Sequence, residues 1–201
     1  MSVVQGAVVA SFAAFMLGTA SASLIVDTGA PPPATFQISL YSQGIAFQHL
    51  GMTFNVGTDS SITSVEGWIG VGAPGDLLIE LHDGATPNGA VLFSSQVALA
   101  AGASTWLGVT GLDWDVAAGD YTVTLTAQPG FDGGMDPNPP NPAGTEWFMG
   151  ALSGGWLDTG FNLGWRINAD SAVPEPAAYS LALLALVAAG VARRRGQRNS
   201  A

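Results

Sequence analysis

Oxygen ligands and indole rings are the chemistry this chain can offer. Of its fifteen acids, all but Glu175 fall between Asp27 and Asp170, where Arg166 is the one base, and the chain has no lysine. With a formal net charge of −10, such a surface repels nucleic acid and anionic lipid and attracts divalent cations or basic partners. Nucleic-acid binding is therefore excluded. Hard oxygen donors suit calcium, and Asp132, Asp136 and Asn138 lie close together in a Gly- and Pro-rich stretch. Their spacing differs from an EF-hand, which sets oxygens at alternate positions and closes with a Glu. Asp and Asn are also ordinary turn residues, and the general consequence of so many acids is solubility.

Other reactive groupings are sparse. His49 and His82 show no His-x-x-x-His spacing and fall short of the three protein ligands of catalytic zinc, so each reads as an exposed strand or loop residue. The chain has no cysteine, which removes disulfides, thiolate nucleophiles and Cys-based metal sites together. No Gly-x-Ser-x-Gly elbow places a nucleophilic serine. Glycoside hydrolysis takes two carboxylates across a cleft. Asp113 and Asp115 share one strand face with Trp114 opposite, and Glu80 and Asp83 flank a strand end, but nothing raises one acid above the others. No catalytic residue is assigned. Sugar rings stack on exposed indoles, and Trp68, Trp114 and Trp147, among six tryptophans, are the candidates. Burial in a core is the competing role, because tryptophan is highly buried on average.

The elements that must position these groups read as strands. Period-2 alternation places Phe36, Ile38 and Leu40 on one face, then Leu50, Met52, Phe54 and Val56, then Leu77, Ile79 and Leu81. Val91, Phe93, Ser95 and Val97 share a face. From Tyr121 to Ala127 apolar residues alternate with threonines, and Phe161, Leu163, Trp165 and Ile167 close the set. Turn signals separate the runs, as at Ala73-Pro74-Gly75-Asp76 and Asp83-Gly84. No helical stripe interrupts them. Short strands with one apolar face each predict an all-β, antiparallel β-sandwich, jelly-roll-like, of eight to ten strands. The stretch from Pro129 to Gly144 reads as a long functional or mobile loop.

Both ends of the chain read as addresses. Residues Ala7 to Leu17 are apolar and lead to Ala20-Ser21-Ala22, an Ala-x-Ala cleavage pattern that makes Ser23 the first mature residue. Residues 2–6 carry no Lys or Arg, so either the signal is atypical or the true start lies elsewhere. At the other end stand Val173-Pro174-Glu175-Pro176, an uncharged run from Ala177 to Ala192, and Arg193, Arg194, Arg195 and Arg198. Pro176 suits the first turn of a helix. Residues 177–192 as a helix span roughly 24 Å, just short of the ~17–25 residues of a usual bilayer crossing. Snorkelling arginines extend the reach and mark the cytoplasmic side. The expected organisation is a signal peptide at 1–22 with a cleaved signal helix, a β-sandwich ectodomain at 23–172, and a sorting segment at 173–201 with a single C-terminal transmembrane helix.

The Pro-Glu-Pro motif, short apolar helix and terminal arginines resemble a PEP-CTERM sorting signal. That resemblance implies a Gram-negative bacterium that makes extracellular polysaccharide. It also implies transient or lasting attachment to the inner membrane, and cleavage near Pro-Glu-Pro by an exosortase-type processing protease. The mature form would then reach the cell surface or extracellular matrix. Less specifically, Ile62-Thr-Ser-Val-Glu-Gly-Trp68, Leu77-Leu-Ile-Glu-Leu81, Gly111-Leu112-Asp113-Trp114 and Trp165-Arg166-Ile167 resemble choice-of-anchor type exported β-domains, which have no established activity. The expected role is non-enzymatic: structural, adhesive or polysaccharide-associated. The alternatives are a secreted glycan-active hydrolase or a calcium-dependent carbohydrate-binding module.

Overall fold

The computed structural model describes residues 22–171, and all the regular elements there are strands. They are β1 (Ala22–Asp27), β2 (Ile38–Gln43), β3 (Ala46–Val56), β4 (Ser60–Ala73), β5 (Gly75–Asp83) and β6 (Val91–Leu99). The second half adds β7 (Gly102–Val116), β8 (Gly119–Ala127), β9 (Asp132–Met135), β10 (Thr145–Gly150), β11 (Leu157–Asp158) and β12 (Trp165–Ser171). No helix among the described residues is long and apolar enough to cross a membrane. The expected signal helix and the sorting segment, with Val173, Pro174, Glu175, Pro176, Arg193, Arg194, Arg195 and Arg198, lie outside the described residues. The expected mature start, Ser23, is the second residue of β1 and pairs with Ala169.

Hydrogen bonding links the strands in the order β1-β12-β4-β9-β2-β3-β8-β5-β6, with β7 on β4, β10 on β3 and β11 on β10. Every pairing is antiparallel. β7 runs along one edge of β4, while the opposite edge is shared by β12 (from Ser60 to Gly67) and β9 (from Ile69 to Ala73). β2 hands the sheet over: Ile38 to Tyr41 pair with β9, and Tyr41 to Gln43 pair with β3. The two halves on either side of this corner close over one hydrophobic cluster, which gives an open, β-sandwich-like fold.

The alternating runs supply that cluster. Leu50, Met52, Phe54 and Val56 of β3, Leu77, Ile79 and Leu81 of β5, and Val123 and Leu125 of β8 are buried against Ile62, Ile69, Trp165 and Ile167 from the other half. Each such side chain contributes about 1.5–3 kcal/mol by leaving water. On the threonine face of β8, Thr122 and Thr124 are buried as well. Both are satisfied there: Thr122 Oγ1 lies 3.0 Å from the Gly84 carbonyl and 3.0 Å from Thr53 Oγ1, and Thr124 Oγ1 is 3.1 Å from His82 Nε2. Phe36 and Phe161 depart from their predicted core faces, being 53% and 45% exposed. Their strands begin only at Ile38 and Trp165.

The Pro129–Gly144 stretch is not the continuous loop its composition suggests. It contains β9, which lies between β4 and β2 near the middle of the sheet, with Phe131 and Met135 fully buried. Gly133 and Gly134 make that insertion sterically possible: a Cβ on Gly133 would stand 2.6 Å from the Gly70 carbonyl oxygen. Beyond β9, Pro137 forms an isolated bridge to Leu163, and Asn138 adopts a positive φ of 62°.

Candidate functional site

Alternation in β4 buries Gly67 and Ile69 and turns Trp68 to the opposite face, half-buried. There it pairs in register with Trp106 of β7, the rings meeting edge to face with centroids 5.3 Å apart. The Arg166 guanidinium of β12 lies 4.2 Å from the Trp106 ring centroid, and its Nη2 is 3.8 Å from Asp27 Oδ1 of β1. A chain of charge and π contacts thus crosses four strands and holds the Trp106 ring against which Trp68 leans. On the other side, Trp68 Nε1 donates to Asp136 Oδ2 at 3.2 Å, just past the end of β9. Both edges of this indole are therefore fixed.

A groove of about 820 Å³ opens beside Trp68, within the usual range for small-molecule sites. Its floor is the glycine backbone of Gly70, Gly72 and Gly102, and Phe36 stands on the segment that walls it. Gln37 and Ser104 face each other across it, with Gln37 Nε2 donating to Ser104 Oγ at 2.8 Å. A Cβ at Gly70 would meet Gln37 Nε2 at 2.6 Å, so a side chain there would push the Gln37 amide aside. Among the described residues lining the groove, Asp136 is the one carboxylate. An indole, a phenyl ring, an amide, a hydroxyl and one acid lining one groove can hold a polyhydroxylated ring by stacking and hydrogen bonds.

The other predicted indoles serve different ends. Trp114 offers no face to a sugar: it is 6% exposed and stacked on Phe93, with centroids 5.6 Å apart and planes at 11°. Alternation placed Asp113 and Asp115 outward correctly, and the same alternation sends Trp114 into the core. Trp147, half-buried on β10, donates from Nε1 to Thr53 Oγ1 at 2.8 Å and lies away from the groove.

The calcium candidates do not converge. β9 is extended, so Asp132 and Asp136 at its two ends are separated by roughly 13 Å of chain, and Asp136 already accepts from Trp68. Asn138 uses its backbone N–H on the Asn162 carbonyl. A hollow between Asp59, Asp115 and Asp170 gathers acids at the opposite end of β4. No group of three or more His, Asp or Glu side chains among the described residues is placed to hold a metal ion.

Both histidines are buried, contrary to the expectation of exposed residues. His82 donates from Nδ1 to the Gly89 carbonyl at 3.2 Å, because the loop after β5 folds back over that strand. His49 stacks on Phe47 with centroids 4.9 Å apart, and burial lowers its pKa. Neither approaches the groove.

Sequence reasoning found no acid set apart from the rest, and the structure does. Glu146 of β10 is buried, accepting from the Leu163 backbone N–H at 3.2 Å and from Trp165 Nε1 at 3.0 Å. Desolvation pushes its pKa up to about 8, against the opposing pull of those two donors. Met52 of β3 is its cross-strand partner, and the two bonds it accepts tie β10 to Leu163 and the start of β12. The alternation Glu146-Trp147-Phe148 carried no signal of this, since the charged residue takes the inward position.

Comparison with known proteins adds the tail. Residues 172–196 match the PEP-CTERM protein-sorting motif. The protein is accordingly an exported one, held through its tail in the membrane before exosortase processing. No curated protein matches the chain.

Proposed function

We propose that this exported protein is a non-enzymatic component of the cell surface or extracellular matrix that holds polysaccharide in the Trp68 groove. The observation that carries the reading is the restraint on Trp68. Its ring is fixed by Trp106 and by Asp136 beside an open groove with a glycine floor, so little side-chain entropy is lost when a ring stacks there. Phe36 supplies a second, more exposed aromatic surface. The preference is for neutral or amino-bearing glycans, because the acidic domain repels uronic acids and sulfated sugars. The single carboxylate of the groove supports binding over hydrolysis, which takes two. A tail that sends the protein out of the cell is consistent with a ligand found there.

Affinity electrophoresis through gels containing neutral polysaccharide tests this. Wild type should be retarded, Trp68→Ala should run about tenfold closer to the polysaccharide-free mobility in apparent affinity, a loss of about 1.4 kcal/mol, and Trp147→Ala should match wild type. Equal retardation of all three, or none at all across neutral and amino-bearing glycans, would remove the groove from the account.

A further inference from the structure

Among the described residues, β6 ends the hydrogen-bonded order of the sheet, with β5 as its strand partner. Open edges of natural sheets are guarded by charges, bulges, prolines or brevity. The other edges here follow that rule. β7 carries Asp113 and Asp115 and two register shifts, β1 carries Asp27 and a shift between Leu24 and Val26, and β11 is two residues long. β6 differs. Its sequence VLFSSQVAL contains no charge and no proline, and its one irregularity lies at the Val91 end, leaving Phe93 to Leu99 in regular pairing. Val91 and Leu92 are 51% and 44% exposed, and Phe93 and Val97 are half-buried.

The strand is also a palindrome in hydropathy. Turned about Ser95, Phe93 faces Val97, Ser94 faces Gln96, Leu92 faces Ala98 and Val91 faces Leu99. Apolar meets apolar and polar meets polar at every position, which is what a two-fold, antiparallel pairing demands and what a pairing with an unrelated strand does not. In a domain this acidic, a chargeless edge is also the place where two copies approach with least repulsion.

We propose that β6 is a self-pairing edge: two copies of this chain join antiparallel along Val91–Leu99 about a two-fold axis at Ser95 and continue the sheet from one domain into the next. Phe93 and Val97, packed on the margin of their own core, then adjoin Val97 and Phe93 of the second copy and extend the apolar layer across the axis. The outer N–H and C=O groups of the strand exchange hydrogen bonds instead of facing water. For a matrix protein, the consequence is a unit with two polysaccharide grooves.

The absence of cysteine provides the test. Ser95→Cys in the full chain introduces one thiol, and directly opposed antiparallel residues lie about 4.5–5.5 Å apart at Cα, inside disulfide range. Mild oxidation of exporting cells should give a disulfide-linked species of twice the chain mass on a non-reducing gel. Adding Ser94→Lys and Gln96→Lys should abolish it, since each lysine faces its like across the axis. Within one copy the pair should be tolerated, because Ser94 lies opposite Glu80 and Gln96 contacts Asp76. Thr110→Cys on the exposed face of β7 serves as the control edge. A monomeric Ser95→Cys protein, equal cross-linking at Thr110→Cys, or undiminished cross-linking in the lysine variant would each overturn the proposal.

Discussion

Replacing Glu146 by glutamine should flatten the pH dependence of stability. The wild-type carboxyl is 3% exposed and its pKa is raised from 4.5 to about 8. Between those values the folded state binds the proton more tightly than the unfolded chain, so stability is fully present below pH 4.5 and declines as pH rises toward 8. Each pH unit in that window is worth about 1.4 kcal/mol, so the whole span amounts to at most about 5 kcal/mol. Glutamine cannot ionise, and the pH-linked loss disappears with it. Leu163 N–H and Trp165 Nε1–H are met by different carboxyl oxygens, so the glutamine NH2 would face one of these donors, and a pH-independent cost of about 1 kcal/mol accompanies the change. Urea titrations of residues 23–172 at pH 5 and pH 9 measure both terms. The two proteins differ at this one side chain, so the difference between their profiles isolates Glu146. The variant should be less stable than wild type at pH 5 and more stable at pH 9. Parallel stability profiles would refute the argument.

Two further perturbations follow from the same geometry. Gly133→Ala drives a methyl group to 2.6 Å from the Gly70 carbonyl oxygen, and should cost about 1–3 kcal/mol in chemical denaturation by prising β9 from β4; a cost below the error of the titration would contradict the close packing of that strand. Replacing Pro174, Glu175 and Pro176 together by alanine should leave the thermal melting of the ectodomain unchanged while blocking processing, so cells accumulate the uncut precursor; an identical mature mass by mass spectrometry would contradict cleavage at this motif.

What the sequence made legible depended on how much of an element faces one way. β3, β5 and β8 each keep one uninterrupted apolar face, and their alternation identified strands and core together. β9 was hidden because two of its four residues are glycines, needed for close backbone approach and silent in any hydropathy pattern. Glu146 was hidden for the opposite reason: an acid at an inward position reads as outward, and only the meeting of β10 with Leu163 and Trp165 explains how it is accommodated. His82 looked exposed because the loop that covers β5 is not visible in β5 itself. Of the three indoles singled out for sugar stacking, Trp68 reached a groove and Trp114 went to the core. Their local sequences both alternate, and the sheet they face, more than the strand they sit on, decides between them. The terminal address needed no tertiary information, because an apolar segment closed by arginines acts through composition and order alone.

Retention in the matrix tests the central claim most directly. Cells making their own polysaccharide would express either the wild-type chain or one carrying Phe36→Ala and Trp68→Ala, and the protein would be quantified in matrix and medium. The groove variant should be exported and trimmed to the mass expected of its wild-type counterpart, yet appear mainly in the medium while wild type stays with the polysaccharide. Equal retention of the two, with both correctly processed, would contradict a polysaccharide-holding role for the groove.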